Sequence, residues 1–378
     1  MNDLLKTMVT AALMNLTLEA NAAVLLVGSY TQGTSQGIYR YEFDPRSGLI
    51  GSEPVQVVKS ENPSWLVLSA DQRLLFAVNE QGEGKGMVSS FSLGAHGEIA
   101  PLSQTASQGD DPTHASLSHD QRYLFVASYA ASSQPGGSLI AVPVARDGTL
   151  QPAVQQERHS PSGVDPERQA TAHVHSAVPS PDGRYLYASD LGADKVFVYR
   201  YDGANPTQPL TPAIPASVGL PPGSGPRHLL FDAQGRHAYL TLEMSGEVVM
   251  FDVRDGALLE RQRLPLTDSD KADAKAGGAV HLSADGRFLY VSNRGTANEI
   301  LVFAVAEETG RLTFVQRRSV EGDHPREFSL DPSGHFLLVA NQKSNQIVVM
   351  QRDPREGTLG KTVQSLPIDA PSDLKFLE

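Results

Sequence analysis

The chain has 378 residues, a formal net charge of −12 and no cysteine. The acidic balance argues against nucleic-acid or anionic-membrane partners, and the missing thiols exclude disulfides, thiolate metal sites and a cysteine nucleophile. At 40% hydrophobic and 20% charged, the composition is that of an ordinary soluble globular protein.

At the N-terminus, Lys6 precedes an apolar run from Met8 to Leu18, followed by Ala20-Asn21-Ala22. A charged start, a short apolar core and an A-x-A site form the pattern of a secretory signal, and the run is too short to span a bilayer. Asp3 and Asn15 depart from that pattern. Residues 1–22 are expected to be a leader and 23–378 a single mature domain bound for the periplasm. A cytoplasmic protein with a frayed N-terminal extension is the alternative.

Beyond the leader, six segments repeat one pattern: an apolar strand, a tight turn with Asp or Gly, then a second apolar strand. They are Ser69–Val78, Ser118–Ala127, Ser180–Ser189, Asp232–Thr241, Ser283–Ser292 and Asp331–Ala340. Their turns fall at positions 72, 121, 183, 235, 286 and 334, so the steps are 49, 62, 52, 51 and 48 residues. A period near fifty with four short strands per unit is the mark of propeller blades. A second hairpin follows the first, with turns at Asp44–Gly48, Gly94–Gly97, Arg146–Gly148, Arg254–Gly256, Glu308–Gly310 and Asp353–Gly357. The expected fold is therefore all-β: a seven-bladed β-propeller with four antiparallel strands per blade. Its seventh blade is shared between the termini, with Pro371–Leu377 as the inner strand and Val24–Val27, Ile38–Phe43 and Pro54–Lys59 as outer ones. Sharing a blade closes the ring and removes a free sheet edge. A closed ring needs no partner, and a monomer is expected.

In such blades the repeated tight turns lie on one face and the longer connections on the other. Ala130–Gly137, Glu157–Ala172, Asn205–Gly225 and Thr267–Gly277 are the long ones, and the Pro-rich run Pro206–Pro226 reads as a wall of the channel mouth. Variable loops over a rigid scaffold are where function usually sits. Aligning the units gives columns near that mouth. Ser64, Thr113, His175, Arg227, Gly278, Arg326 and Ser372 start the inner strands, and Tyr30, Glu80, Tyr129, Leu191, Glu243, Arg294 and Gln342 end the second strands. Repeats that diverge into His, Arg, Glu and Tyr at these positions suggest a site assembled from several blades.

Glu243 can act as a general base on water or as an inter-blade ion-pair partner. Arg227 and Arg294 can bind a carbonyl oxygen or an anion through the planar guanidinium fork, or serve as structural bridges. His175 is the better acid/base candidate of the His173/His175 pair. That pair could also ligate a metal, but no third ligand stands at metal spacing, so no metal or other cofactor is expected. Tyr129, Asp190, Glu80 and Asn341 could bind the hydroxyls of a polyol, with His173 and Arg326 as further substrate contacts. The G-x-S-x-G elbow, the phosphate-binding loop G-x-x-x-x-G-K-[ST] and H-E-x-x-H are absent from the sequence.

The phrases Val27-Gly-Ser-Tyr-Thr31, His175-Ser176, Ser180-Pro-Asp-Gly-Arg-Tyr-Leu-Tyr187, Asp190-Leu-Gly-Ala-Asp194 and Gly225-Pro-Arg-His228 resemble the lactonase propeller family. That family includes propeller-type 6-phosphogluconolactonases and, more distantly, fungal carboxy-muconate lactonising enzymes. The resemblance runs from about Val24 to Glu378 and implies metal-free chemistry on a lactone. The histidine, glutamate and arginine roles of the muconate enzymes would fall on His175, Glu243, Arg227 and Arg294, the residues the columns select. The N-terminal leader departs from what a cytosolic enzyme acting on a phosphorylated sugar would carry.

The expected function is hydrolysis of a sugar δ-lactone, glucono-1,5-lactone or its 6-phosphate, to the aldonic acid. Glu243 or His175 would take a proton from water, Arg227 and Arg294 would stabilise the oxyanion, and Arg326 could contact a phosphate. Carboxy-muconate cycloisomerisation and non-catalytic binding of a glycan or protein are the alternatives.

Overall fold

The computed structural model describes residues 22–131, 134 and 136–377, so the expected leader lies outside the described residues. The described residues form seven antiparallel sheets arranged as blades. Blade 1 comprises Trp65–Leu68, Leu74–Asn79, Met87–Leu93 and Ile99–Ala106, from the channel outwards. Blades 2 to 6 repeat this order from inner strands Pro112–Leu117, Val174–Pro179, Pro226–Phe231, Gly277–Leu282 and Pro325–Leu330.

The repeated sequence pattern has a local cause. In four blades the serine that follows the inner strand donates to an aspartate two residues on: Ser69 to Asp71, Ser118 to Asp120, Ser180 to Asp182 and Ser283 to Asp285. The same serine oxygen accepts the amide that opens the second strand, as Tyr185 N does at 3.0 Å from Ser180. The motif is turn chemistry, which accounts for its recurrence from blade to blade.

Each strand alternates its side chains between the two faces of its blade. The apolar residues therefore divide into seven clusters, one at every junction between neighbouring blades. In blade 7, Leu25 and Val27 pack towards blade 6, whereas Leu26 packs towards blade 1. The ring closes as expected: Pro371–Leu377 pairs with Ala23–Ser29, which pairs with Gly37–Asp44. The outer position of that blade is split between Leu49–Ile50 and Gln56–Lys59, a shorter segment than the sequence suggests.

One expectation is corrected. Most of the Pro-rich run is not a wall of the mouth, because Leu210–Gly219 is the outer strand of blade 3, paired with Lys195–Tyr201. Prolines lack the amide a central strand needs but are tolerated on an edge, and Pro212 and Pro215 lie on this one. Only the segment from Leu220 to Gly225 reaches the mouth.

Candidate active site

Glu243 follows the second strand of blade 4 and its side chain stands at the centre of a cationic cluster. Its Oε2 lies 2.6 Å from Arg294 Nη2 and 3.3 Å from Arg227 Nε. Its Oε1 accepts from Arg168 Nη2 at 2.6 Å. His175 Nε2 stands 3.9 Å from the same Oε2. Blades 3, 4 and 5 and one long loop thus converge on a single carboxylate. Blade register explains the meeting of Arg227 and Glu243: Pro226 pairs with Leu242, so the next residue on each strand emerges at the mouth.

The electrostatics follow from this geometry. Burial would raise the Glu243 carboxyl, but Arg294, His175, Arg227 and Arg168 outweigh it and hold the group well below the usual carboxylate range. Burial and the Arg227 guanidinium hold His175 well below the usual histidine value, so its imidazole is neutral at pH 7. Burial and the nearby Arg294 pull Arg227 down, even though Glu243 opposes them. Two buried polar atoms near Glu243, His175 Nδ1 and Arg294 Nε, have no hydrogen-bond partner among the described residues, and Arg227 Nε meets Glu243 only as an ion pair. Unsatisfied buried groups are costly, so these positions favour a bound water or a polar ligand group.

The structure brings His175, Arg227, Glu243 and Arg294 together, as the columns anticipated. Tyr129 joins them: its hydroxyl accepts from Arg168 Nη2 at 3.1 Å and its ring meets His175 edge-on at 5.5 Å. His173 supports Tyr129 from behind. Its ring stacks on the tyrosine at 4.6 Å and its Nδ1 lies 2.7 Å from the Tyr129 carbonyl. Arg326 and Glu80 form an ion pair at 3.1 Å that also lies within the field of the cluster.

Asp190 and Asn341 are placed elsewhere. Asp190 accepts the amides of His173 and Ala193 and faces His159 Nδ1 at 2.7 Å. Asn341 donates to the Val320 carbonyl at 3.1 Å. Both stand one residue before the mouth column, so strand alternation turns them into the inter-blade connections. They brace loops and do not meet the cluster.

Arg168 was not selected from the sequence, because it lies in an irregular loop outside the strand columns. The loop is built to present it. Asp165 Oδ1 accepts the Glu167 and Arg168 amides, and the buried Gln169 amide group reaches the Leu191 carbonyl at 2.9 Å. The Arg168 side chain is 43% exposed, against 7% for Arg294 and 2% for Arg227. It is therefore the guanidinium that an incoming molecule meets first. His324 was also missed. It precedes the inner strand of blade 6, and burial together with Arg294 and Arg326 pushes its imidazole down to about 2.

Among the described residues no group of three or more His, Asp or Glu side chains could hold a metal ion. At the other end of the channel a separate cavity of about 600 Å³ is lined by Trp65, His114, His228, Glu327 and Lys375, among others.

The arrangement offers an electrophile-binding corner of three guanidinium groups and a neutral imidazole beside a carboxylate that the guanidinium groups hold ionised. Comparison with known proteins matches residues 24–376 to the family described as lactonase, 7-bladed beta-propeller. A periplasmic gluconolactonase of Pseudomonas aeruginosa, PpgL, superposes with a TM-score of 0.91 at 50% identity, covering 95% of this chain and 99% of that one. A 6-phosphogluconolactonase of Bacillus subtilis is 34% identical over 93% of this chain and 97% of its own length. A second 6-phosphogluconolactonase, from Formosa agariphila, is 33% identical over 93% of this chain and 99% of its own length.

Proposed function

The chain belongs to the seven-bladed β-propeller lactonase family, and from that premise we propose that its mouth hydrolyses a sugar δ-lactone with His175 as the proton carrier. The observation that carries this reading is the 3.9 Å separation of His175 Nε2 from Glu243 Oε2. It is too long for a hydrogen bond, yet one water can donate to both atoms at ordinary hydrogen-bond length.

Glu243, held ionised by three guanidinium groups, is a poor base and no acid. It orients the water and stabilises the imidazolium that forms. His175 takes one proton from the water as its oxygen attacks the lactone carbonyl carbon. Arg294 and Arg227 face the developing oxyanion, a charge that grows only in the transition state. When the tetrahedral intermediate collapses, the bond from carbon to ring oxygen breaks. The imidazolium returns its proton to that oxygen. The product is the open aldonic acid, which then loses its carboxyl proton to solvent. The guanidinium groups supply the electrophilic assistance that a metal would otherwise give, so the scheme calls for no cofactor.

The enzymes of Pseudomonas aeruginosa and Bacillus subtilis support a sugar lactone as substrate. The periplasmic description of the former, together with the Met8–Leu18 run and Ala20-Asn21-Ala22, supports export. Purified protein added to glucono-1,5-lactone and to its 6-phosphate in a pH-stat tests the reading, with and without chelator. Accelerated acid release that survives chelation is expected. No acceleration on either lactone would sink it.

A further inference from the structure

The far side of the mouth from Glu243 carries a second charged pair whose role the hydrolytic scheme leaves open. Glu80 follows the second strand of blade 1. Its backbone is pinned at both polar groups by Asn62, whose carbonyl accepts the Glu80 amide at 3.0 Å and whose Nδ2 donates to the Glu80 carbonyl at 3.1 Å. Its side chain is equally fixed. Oε2 accepts from Tyr30 Oη at 2.8 Å, from Arg326 Nη2 at 3.1 Å and from Ser64 Oγ.

Arg326 belongs to the inner strand of blade 6 but finds its partners across the channel. Its Nη2 also donates to Thr113 Oγ1 in blade 2 at 3.3 Å, and its guanidinium lies over the Tyr30 ring of blade 7 at 5.0 Å. Four blades thus lock one guanidinium against one carboxylate. All three donors to Glu80 converge on Oε2, and Oε1 accepts no hydrogen bond among the described residues. The Glu80 side chain is 17% exposed, so this second oxygen can meet solvent or a ligand.

A carboxylate oxygen of this kind accepts a hydroxyl and repels a phosphate. A phosphate seeking Arg326 would have to break the pair. It would also lie beside a Glu80 carboxylate left without its cation, in a site where charges are poorly screened. Rejection by an unfavourable charge is as effective a source of specificity as a new attraction.

We propose that Glu80 is the specificity-determining residue of the mouth, accepting a hydroxyl of the distal carbon of an unphosphorylated sugar lactone and excluding the phosphorylated one by holding Arg326. The inference rests on the lactonase reading and adds to it the class of lactone and the residue that selects it.

The test is kcat/KM for glucono-1,5-lactone and for its 6-phosphate, in the unmodified protein and in Glu80→Gln. The unmodified protein is expected to favour the neutral lactone by at least about tenfold, and the variant to narrow that preference by about tenfold, chiefly through KM for the phosphorylated substrate. Equal or better use of the phosphorylated lactone by the unmodified protein overturns the proposal, as does an unchanged ratio in a folded variant. Calorimetric titration of the unmodified protein with gluconate and with 6-phosphogluconate decides the question without turnover or substitution. Tighter binding of gluconate is expected, and tighter binding of 6-phosphogluconate contradicts the role of Glu80. A protein that hydrolyses neither lactone yet binds gluconate more tightly would refute the lactonase reading and leave the selectivity of Glu80 standing.

Discussion

Arg294 Nη2 lies 2.6 Å from Glu243 Oε2, the same oxygen that His175 Nε2 faces at 3.9 Å. One carboxylate oxygen therefore sets both the position of an oxyanion donor and the environment of the base. Glu243→Gln keeps the shape but removes the charge that holds three guanidinium groups in place. It is expected to lower kcat for glucono-1,5-lactone by at least about a hundredfold. Steady-state kinetics on the purified variant, with its fold checked by circular dichroism, would show this. A loss under about threefold would mean that Glu243 serves the structure alone.

The pH profile carries a distinct signature. The neutral imidazole of His175 is the active form, and burial together with Arg227 holds it well below the ordinary histidine value. Activity is therefore lost only as pH falls through that depressed value. The profile of kcat/KM is expected to stay flat from about pH 8 down through about pH 6.5, the ordinary histidine value, and to fall only well below it. An acid limb centred on that ordinary value would show that a different group is the base.

Stability should respond to acid for the same reason. His114 is pushed down to about 3 and His324 to about 2, while His175 and His228 are held well below their ordinary value; burial is the largest cause in each. A histidine whose folded pKa is depressed contributes stability that is fully present above its unfolded value and is lost as pH falls. Between the unfolded and folded values, each costs about 1.4 kcal/mol per pH unit. Urea midpoints measured from pH 7.5 to pH 5.5 should fall steeply, and His114→Asn should soften the slope. A midpoint independent of pH over that range would contradict the burial of neutral histidines.

Asp194 offers a way to disturb the site from outside it. Its carboxylate accepts the amides of Gly223 at 2.8 Å and Gly225 at 2.9 Å, and the Gly225 carbonyl accepts the Glu243 amide at 2.7 Å. This chain of contacts fixes the entry to the strand that carries Arg227. Asp194→Ala is expected to reduce kcat about tenfold with KM nearly unchanged, because misplacement of catalytic groups costs rate before binding. An unchanged kcat would show that the segment is held by other contacts.

Ring closure is testable by deletion. Pro371–Leu377 supplies Leu374 and Phe376 to the junction of blades 6 and 7, and Asp373 accepts the Leu66 amide from blade 1 at 2.6 Å. Removing residues 371–378 takes away an inner strand and exposes a sheet edge. The truncated protein should lose its cooperative thermal transition, and a sharp transition close to that of the intact protein would contradict this.

Much of this was legible in the sequence because the fold repeats. Turns at a period near fifty residues align the blades, and alignment exposes His175, Arg227, Glu243 and Arg294 as the positions where repeats stop agreeing. The same alignment was read too generously at Asp190 and Asn341, where an offset of one residue reverses the direction of a strand side chain. The outer strand of blade 3 was hidden by its prolines, which signal a loop unless the strand is known to be an edge. Arg168 could not be found by any column, since its position depends on how Asp165 and Gln169 fold a loop rather than on strand register.

The central claim is that His175 carries the proton in sugar-lactone hydrolysis. Its most direct test is the pH-stat rate on glucono-1,5-lactone at pH 7 for the unmodified protein and for His175→Ala, with corrections for spontaneous opening. The account predicts that the variant loses at least about two orders of magnitude in kcat while remaining folded. A variant that keeps the rate of the unmodified protein would contradict it.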